Sequence, residues 1–349
     1  MYQPTLDSTT ILNQIGQKID NNSLEILDVL GVGAYGVVYR ARSLVTGQMF
    51  AVKFLPKAGL DSRQRAFQYR EITLHTQVSS HHNILSLIKV VETSESIYVV
   101  LEYCSEGDLF YNITERSLYV GNDRAVRDAF LQILDAVAYC HSVGLYHRDL
   151  KPENIMVFDG GRTLKLTDFG LATTEQYSSD FGCGSMYYFS PECQGTDRRS
   201  YASIPNDIWS LGIILINLVT GRNPWHRASP ADDAYSAYLR DPDYLRSILP
   251  ISVQLNEILK CIFTSPAKRA TVEQLRAMVE ACPRFYDGHA RHSSFSTKTS
   301  MRLQSSEHSG THPSNPSLPK VMGRQLAYRD TGGLSYKVDP HKDDSGVGF

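Results

Sequence analysis

A carboxylate, an ammonium and an amide stand within eight consecutive positions, His147-Arg148-Asp149-Leu150-Lys151-Pro152-Glu153-Asn154. Asp149 can take up the proton of a hydroxyl group, Lys151 can neutralise negative charge on a group in transit, and the amide oxygen of Asn154 suits a hard cation such as Mg²⁺. Fourteen residues beyond Asn154 comes Asp168-Phe169-Gly170, whose carboxylate is a second oxygen ligand for such a cation. Asp-Phe-Gly by itself is a common tripeptide. It gains weight from its place on the far side of an expected hairpin, with Leu164-Lys165-Leu166-Thr167 as the strand that leads into it.

Nearer the N-terminus, the glycines of Gly31-Val32-Gly33-Ala34-Tyr35-Gly36 would let backbone amides approach phosphate oxygens, and Tyr35 at the tip would shield them from water. The same GxGxxG spacing occurs in dinucleotide-binding turns, but there it leads from a strand into a helix. Here it leads into Val37-Val38-Tyr39-Arg40, a second strand. Alternation puts Lys53, in Ala51-Val52-Lys53, on the same face as Ala51; a strand lysine among apolar neighbours ordinarily faces solvent. Ser62 to Val78 has helical spacing, with Phe67, Glu71 and Leu74 at i, i+4 and i+7, which places Glu71 on the buried side. A carboxylate there needs a cation, either Lys53 or, at the rim, Arg70 or Arg65.

The run from His147 to Asn154 resembles the catalytic loop of eukaryotic protein kinases, and Lys151 is what the serine/threonine branch of that family carries two residues after the Asp. The resemblance implies ATP and Mg²⁺ as cofactors and assigns roles. Asp149 would be the base, Lys151 and Lys53 cations on the phosphates, Asn154 and Asp168 the metal ligands, and Glu71 the partner that positions Lys53. Gly31, Val32, Gly33, Ala34, Tyr35 and Gly36 would cover the phosphates. Leu101 would be the gatekeeper, and the backbone of Glu102 and Cys104 would bond adenine. Val38, Ala51 and Met156 would sandwich the purine, and Asp108 would bind ribose; the apolar members of this set would be equally at home in a plain core.

These residues need a scaffold. Leu24 to Leu30, Gly36 to Ala41 and Met49 to Leu55 read as strands, followed by Leu85 to Val91 and Ile97 to Tyr103. Asp123 to His141 is an amphipathic helix with Gly144 as its C′ residue. The implied fold is α+β and bilobal, a small antiparallel sheet with one helix and a larger, mainly helical lobe. Its expected bounds are 23–286, divided at 103/104. Residues 1–22 read as a loosely attached arm, and 287–349 as a serine-rich tail too polar to build a core, expected to be disordered.

Composition excludes several alternatives. A net charge of -2 gives no footprint for nucleic acid or an anionic membrane. The longest apolar run, Leu211 to Val219, is about half of the roughly 20 residues a bilayer requires and reads as a buried helix. The N-terminus lacks the pattern of a secretory signal, and the six cysteines show no CxxC spacing, so a cytosolic or nuclear location without zinc or disulfides is expected. Protein substrates bearing Ser or Thr are the expected partners; the motifs do not give an oligomeric state.

The resemblance extends to finer points. Leu171 to Phe189 would be the activation segment, closed by Ser190-Pro191-Glu192, with Glu192 paired to Arg269. Phe181 occupies the position that relatives often phosphorylate, with Asp180 before it, so Arg148 would pair with Asp180, or else Ser178 or Ser179 would be phosphorylated. Asp207 is either an acceptor for the catalytic-loop backbone or a plain helix N-terminal acid. Glu153 and Asp108 match the pair that reads an arginine three residues before the acceptor, Asn217 replaces the acid that reads one two before, and Gly182, Met186 and Phe189 suggest an apolar residue after it. Tyr69 to His75, Val78 to Asn83 and Ser190 to Cys193 look like fungal kinases of the Ran/Pat type, regulators of nutrient response and developmental commitment. A pseudokinase scaffold is the rival reading; it usually shows a lost lysine, base or metal ligand, and all are present. A tyrosine kinase is disfavoured by Lys151 and Ser185.

Overall fold

The computed structural model describes residues 8–33, 36–195 and 199–288; Ala34, Tyr35 and nearly all of the serine-rich tail lie outside them. Two compact units result, one running through Gln68 and joined by Leu87–Tyr103, the other made of Tyr69–Ser86 and the chain from Cys104 onward.

The first unit is a six-stranded sheet built from β1 (Lys18–Ile19), β2 (Leu24–Val32), β3 (Val37–Ser43), β4 (Met49–Pro56), β5 (Leu87–Glu92) and β6 (Ser96–Glu102), in the order β1-β2-β3-β4-β6-β5. All neighbours are antiparallel. Register sets Val37 opposite Phe54, Tyr39 opposite Val52 and Phe54 opposite Tyr98, so one face is a continuous apolar layer that also holds Leu24, Ile26 and Val100. Among the described residues, those from Thr9 to Asn22 are attached to the sheet, where the sequence reading had a loosely attached arm. Residues from the short helix α1 (Ser8–Leu12) and β1 pack against this layer through Ile11 and Ile19. The chain doubles back because Asp20, Asn21 and Asn22 all take left-handed backbone (φ 56, 52 and 63), which Asn and Asp tolerate best among residues with a Cβ.

Helix α2 (Ser62–Val78) spans the expected residues, but its buried stripe is Gln68, Leu74, His75 and Val78. Glu71 lies on that stripe and is half-buried, whereas Phe67 is exposed at 41 % beneath the Arg63 guanidinium. The i, i+4 spacing from Phe67 therefore put the apolar face one residue off.

The second unit is mainly helical: α3 (Leu109–Thr114), α4 (Asp123–Ser142), α5 (Pro191–Gln194), α6 (Ser203–Thr220), α7 (Asp233–Arg240), α8 (Tyr244–Ile248), α9 (Val253–Ile262) and α10 (Val272–Ala281). Between α4 and α5 run the hairpin β7 (Ile155–Phe158) and β8 (Thr163–Leu166), then β9 (Tyr177–Ser178), which pairs with β10 (Tyr201–Ala202). Helix α4 buries Val126, Phe130, Ile133 and Val137 and ends at Gly144 (φ 74), the left-handed conformation a C′ glycine supplies without steric cost. Helix α6 is apolar and long enough to cross a membrane by composition, yet 89 % of it is buried inside the protein. Trp209 on α6 packs with Trp225, Tyr235 and Phe263. Cys140, Cys193 and Cys282 are buried.

Candidate active site

The residues from His147 to Asn154, expected to be catalytic, sit on the link between α4 and β7, and their backbone is pinned from below. Asp207, fully buried in the first turns of α6, accepts hydrogen bonds from the backbone N–H of His147 (3.0 Å) and Arg148 (2.8 Å) and meets His141 Nε2 at 2.9 Å. That clamp holds Arg148 in left-handed backbone (φ 64), a strained state for a bulky side chain. It settles the open question about Asp207, and it uses a residue that the sequence reading counted only as part of a helix face, His141. His147 Nδ1 accepts from Asp149 N at 3.3 Å, so its Nε2–H donates to Thr167 O at 3.1 Å and ties this loop to the residue before Asp168.

Above the clamp the side chains converge. Asp149 Oδ2 accepts from Lys151 Nζ at 2.7 Å and from Asn154 Nδ2 at 3.2 Å, while Oδ1 accepts from Ser185 Oγ at 3.0 Å. Lys151 Nζ also donates to Ser185 Oγ at 2.9 Å. Burial opposes the charge on Lys151, but the carboxylates of Asp149, Glu153 and Asp168 outweigh it and hold the ammonium above the ordinary lysine value. Asn154 Nδ2 also donates to Asp149 O at 2.9 Å, which turns Oδ1 the other way; that oxygen is buried and receives no hydrogen bond. A buried acceptor without a donor is costly unless something else binds it, and an amide oxygen beside a carboxylate suits a hard cation.

Asp168 itself has left-handed backbone (φ 63). A Cβ on Gly170 would lie 3.3 Å from Asp168 Oδ1 and 3.5 Å from Glu71 Oε2, so the two carboxylates flank one glycine. Asn154 and Asp168 thus fit the Mg²⁺ expected of them.

Asp108 and Met156 lie side by side, joined by an isolated antiparallel bridge. Asp108 caps α3 by accepting from Tyr111 N at 2.7 Å, and burial pushes its carboxyl up to about 6. Cys104 Sγ donates to Val157 O at 2.8 Å. Glu153 is likewise raised by burial, and its Oε2 is buried with no partner.

In the first unit, register groups the expected nucleotide residues. Val38 is opposite Lys53, Lys53 opposite Val99, and Ala51 opposite Leu101. Val38, Ala51, Lys53 and Leu101 therefore share the face turned away from the Tyr39–Val52 layer. Glu102 pairs with Phe50 at the end of β6. Gly31 and Val32 close β2, and Gly33 N donates to Gly36 O at 2.8 Å. A Cβ on Gly36 would meet Phe54 O at 2.3 Å, so only glycine allows β3 to begin there.

Comparison with known proteins gives this arrangement its family. A model of the protein kinase domain matches residues 24–279. The chain belongs to the protein kinase family. A negative regulator of sexual conjugation and meiosis from Schizosaccharomyces pombe is 49 % identical over 290 residues, covering 77 % of this chain and 62 % of that protein. The serine/threonine-protein kinase VHS1 of Saccharomyces cerevisiae is 31 % identical over 329 residues, covering 76 % and 71 % respectively. The serine/threonine-protein kinase ksp1 of S. pombe is 34 % identical over 264 residues, covering 72 % and 55 %. The kinase domain here is thus of the serine/threonine, ATP-dependent kind, while the chain spans less than two thirds of the first relative's length.

The kinase activation segment is ordered by the chain itself. Arg148 Nη1 donates to Ser178 Oγ (2.7 Å) and Asp180 Oδ2 (3.1 Å), and Nε donates to Leu171 O (2.8 Å). Ser178 is fully buried in the β9–β10 ladder, Tyr201 OH donates to Asp180 O at 3.2 Å, and the Phe181 and Tyr201 rings lie 5.6 Å apart. At its far end, Glu192 pairs with Arg269 at 2.5 and 3.3 Å as expected. Asn217 accepts from Tyr188 OH and donates to Arg222 O and Asn223 Oδ1.

Proposed function

We propose that this chain is an active serine/threonine protein kinase that needs no phosphate on its activation segment and selects acceptors with one arginine three residues upstream. Asp149 Oδ1, now hydrogen-bonded to Ser185 Oγ, is the atom that takes the acceptor hydroxyl's proton. Lys151, kept charged by its carboxylate neighbours, holds a cation 2.7 Å from that carboxylate. Asn154 and Asp168 would hold Mg²⁺, which with ATP supplies charge neutralisation on the phosphates. Lys53 and Glu71 orient the nucleotide, under the glycine loop of Gly31, Gly33 and Gly36.

The single observation that carries the catalytic reading is the buried, donorless Oδ1 of Asn154 beside Asp149. For the substrate, the buried Oε2 of Glu153 supports recognition of a guanidinium, which would supply the missing donor, and Asn217 offers a neutral amide, already bonded to Tyr188, where an acid would pair with a second arginine. Gly182, Met186 and Phe189 favour an apolar residue after the acceptor. Independence from loop phosphorylation rests on Arg148, whose partners Asp180 and Ser178 stand where a phosphate would otherwise bind. The substrates are proteins of the cytosol or nucleus, neither nucleic acid nor membrane. By analogy with the relative named a negative regulator of sexual conjugation and meiosis, the role is in developmental signalling.

The test is a positional peptide library with Mg-ATP and phosphatase-treated protein. Selection of arginine at the third upstream position, with Ser or Thr as acceptor, supports the proposal. Acidic or proline-directed selection, transfer to Tyr, or dependence on prior loop phosphorylation contradicts it.

A further inference from the structure

The sheet of the first unit has two faces, and only one is used by the kinase reading. Val38, Ala51, Lys53 and Leu101 occupy that face by register. The other is the apolar layer of Val37, Tyr39, Ala41, Val52, Phe54, Tyr98 and Val100, fully or nearly fully buried. What covers part of that layer is the segment from Thr9 to Asn22, which lies outside the residues that the family model matches.

The contact is polar as well as apolar. Tyr39, at 0 % exposure, donates its hydroxyl to Ile11 O at 2.9 Å, and Tyr98 donates to Gln14 Oε1 at 3.0 Å. Backbone bonds join Gly16 N to Ile26 O (2.8 Å) and Ile26 N to Gln17 O (2.9 Å), and β1 continues the sheet by pairing Lys18 with Glu25 and Ile19 with Leu24. Asp20 at the turn forms an ion pair with Lys89 on β5, the opposite edge strand. The arm therefore reaches both edges of the sheet and supplies the partners of two buried hydroxyls near its middle.

We propose that this N-terminal arm is a positioning element for nucleotide binding, acting through Tyr39 and Tyr98. Tyr39 follows Val38 and is opposite Val52, which precedes Lys53. In a strand these neighbours project to opposite faces of one backbone, so a roll of β3 that frees the Tyr39 hydroxyl displaces Val38 and the end of the glycine loop at Gly36 by the same rotation. A close-packed layer transmits such a shift instead of absorbing it. The inference rests on the nucleotide role of Val38 and Lys53 and deepens it.

The experiment compares full-length protein with the double variant Tyr39→Phe/Tyr98→Phe, which keeps the rings and removes the two donors to the arm. A second variant lacks residues 1–17. Affinity for Mg-ADP is measured by calorimetry, and KM for ATP and kcat by phosphotransfer. Losing hydrogen bonds of this kind shifts an equilibrium on the order of two- to tenfold each. The expected result for the double variant is a nucleotide Kd and an ATP KM raised about threefold or more, with kcat at saturating ATP within about twofold of the parent. An unchanged nucleotide Kd, with or without a lower melting temperature, overturns the proposal and leaves the arm a stabilising cover only. Should the truncated chain not fold, the double variant decides. Nucleotide binding without any phosphotransfer by the parent would sink the kinase activity but leave this inference readable from the Kd values.

Discussion

In the second unit, Asp149, Lys151, Asn154 and Ser185 are fixed by hydrogen bonds to one another and by Asp207 beneath them; in the first, Val38, Ala51, Lys53 and Leu101 share a face because β3, β4 and β6 are in register. The first arrangement is a buried polar network, where each lost partner strands another group. The second is a backbone lattice, where one side chain acts on another through the strands whose register places them. The difference teaches where each unit is fragile: the polar network at its charges, the lattice at its one close backbone approach.

That contrast can be broken at four points, from large effect to small. Arg269→Ala leaves the Glu192 carboxylate buried without its cation, and breaking a buried pair in this way costs about 3–5 kcal/mol. Chemical denaturation should show the unfolding free energy falling by that amount, and an effect below about 1 kcal/mol would mean the pair is screened. Asp207→Ala strands the N–H groups of His147 and Arg148, at about 1–3 kcal/mol for each buried donor. Here kcat should fall together with stability, since the loop geometry goes with the clamp.

In the lattice, Gly36→Ala forces β3 away from Phe54 O and should cost about 1–3 kcal/mol, with a raised KM for ATP and little change in kcat. Equal losses in kcat and kcat/KM would instead tie this position to the chemical step. The smallest effect is on pH. Burial raises the carboxyl of Asp108 to about 6 and that of Glu153 above its ordinary value, so both protonate earlier than usual as pH falls. Preference for the upstream-arginine peptide over its alanine analogue should then be full at pH 7.5 and shrink severalfold, on the order of one charge-assisted hydrogen bond, as pH falls through 6. A preference that is flat across this range would remove these carboxylates from recognition.

What the sequence disclosed follows the same division. Asp149, Lys151, Asn154 and Asp168 could be singled out because their chemistry is concentrated in two short runs, and the shared face of Val38, Ala51, Lys53 and Leu101 was legible because strand alternation has a period of two. His141 and Asp207 were not legible as a pair, since they are 66 positions apart and His141 reads only as one position of a helix face. Phe67 misled the reading of α2 because its apolar character marked a neighbour of the buried stripe. The attachment of the arm was not legible because a strand of two residues has no periodicity to read, although Asp20-Asn21-Asn22, three residues tolerant of left-handed backbone, marked the place where the chain turns back.

The most direct test of the account is phosphotransfer from Mg-ATP to a Ser peptide by Asp149→Asn beside the parent, with Mg-ADP affinity measured on both. The substitution keeps the shape of the site and removes the proton acceptor, so kcat should fall on the order of 10²–10⁴-fold while nucleotide affinity stays within about twofold. Transfer by the variant at the parent's rate would contradict the assignment of Asp149 as base and, with it, the reading of the whole loop.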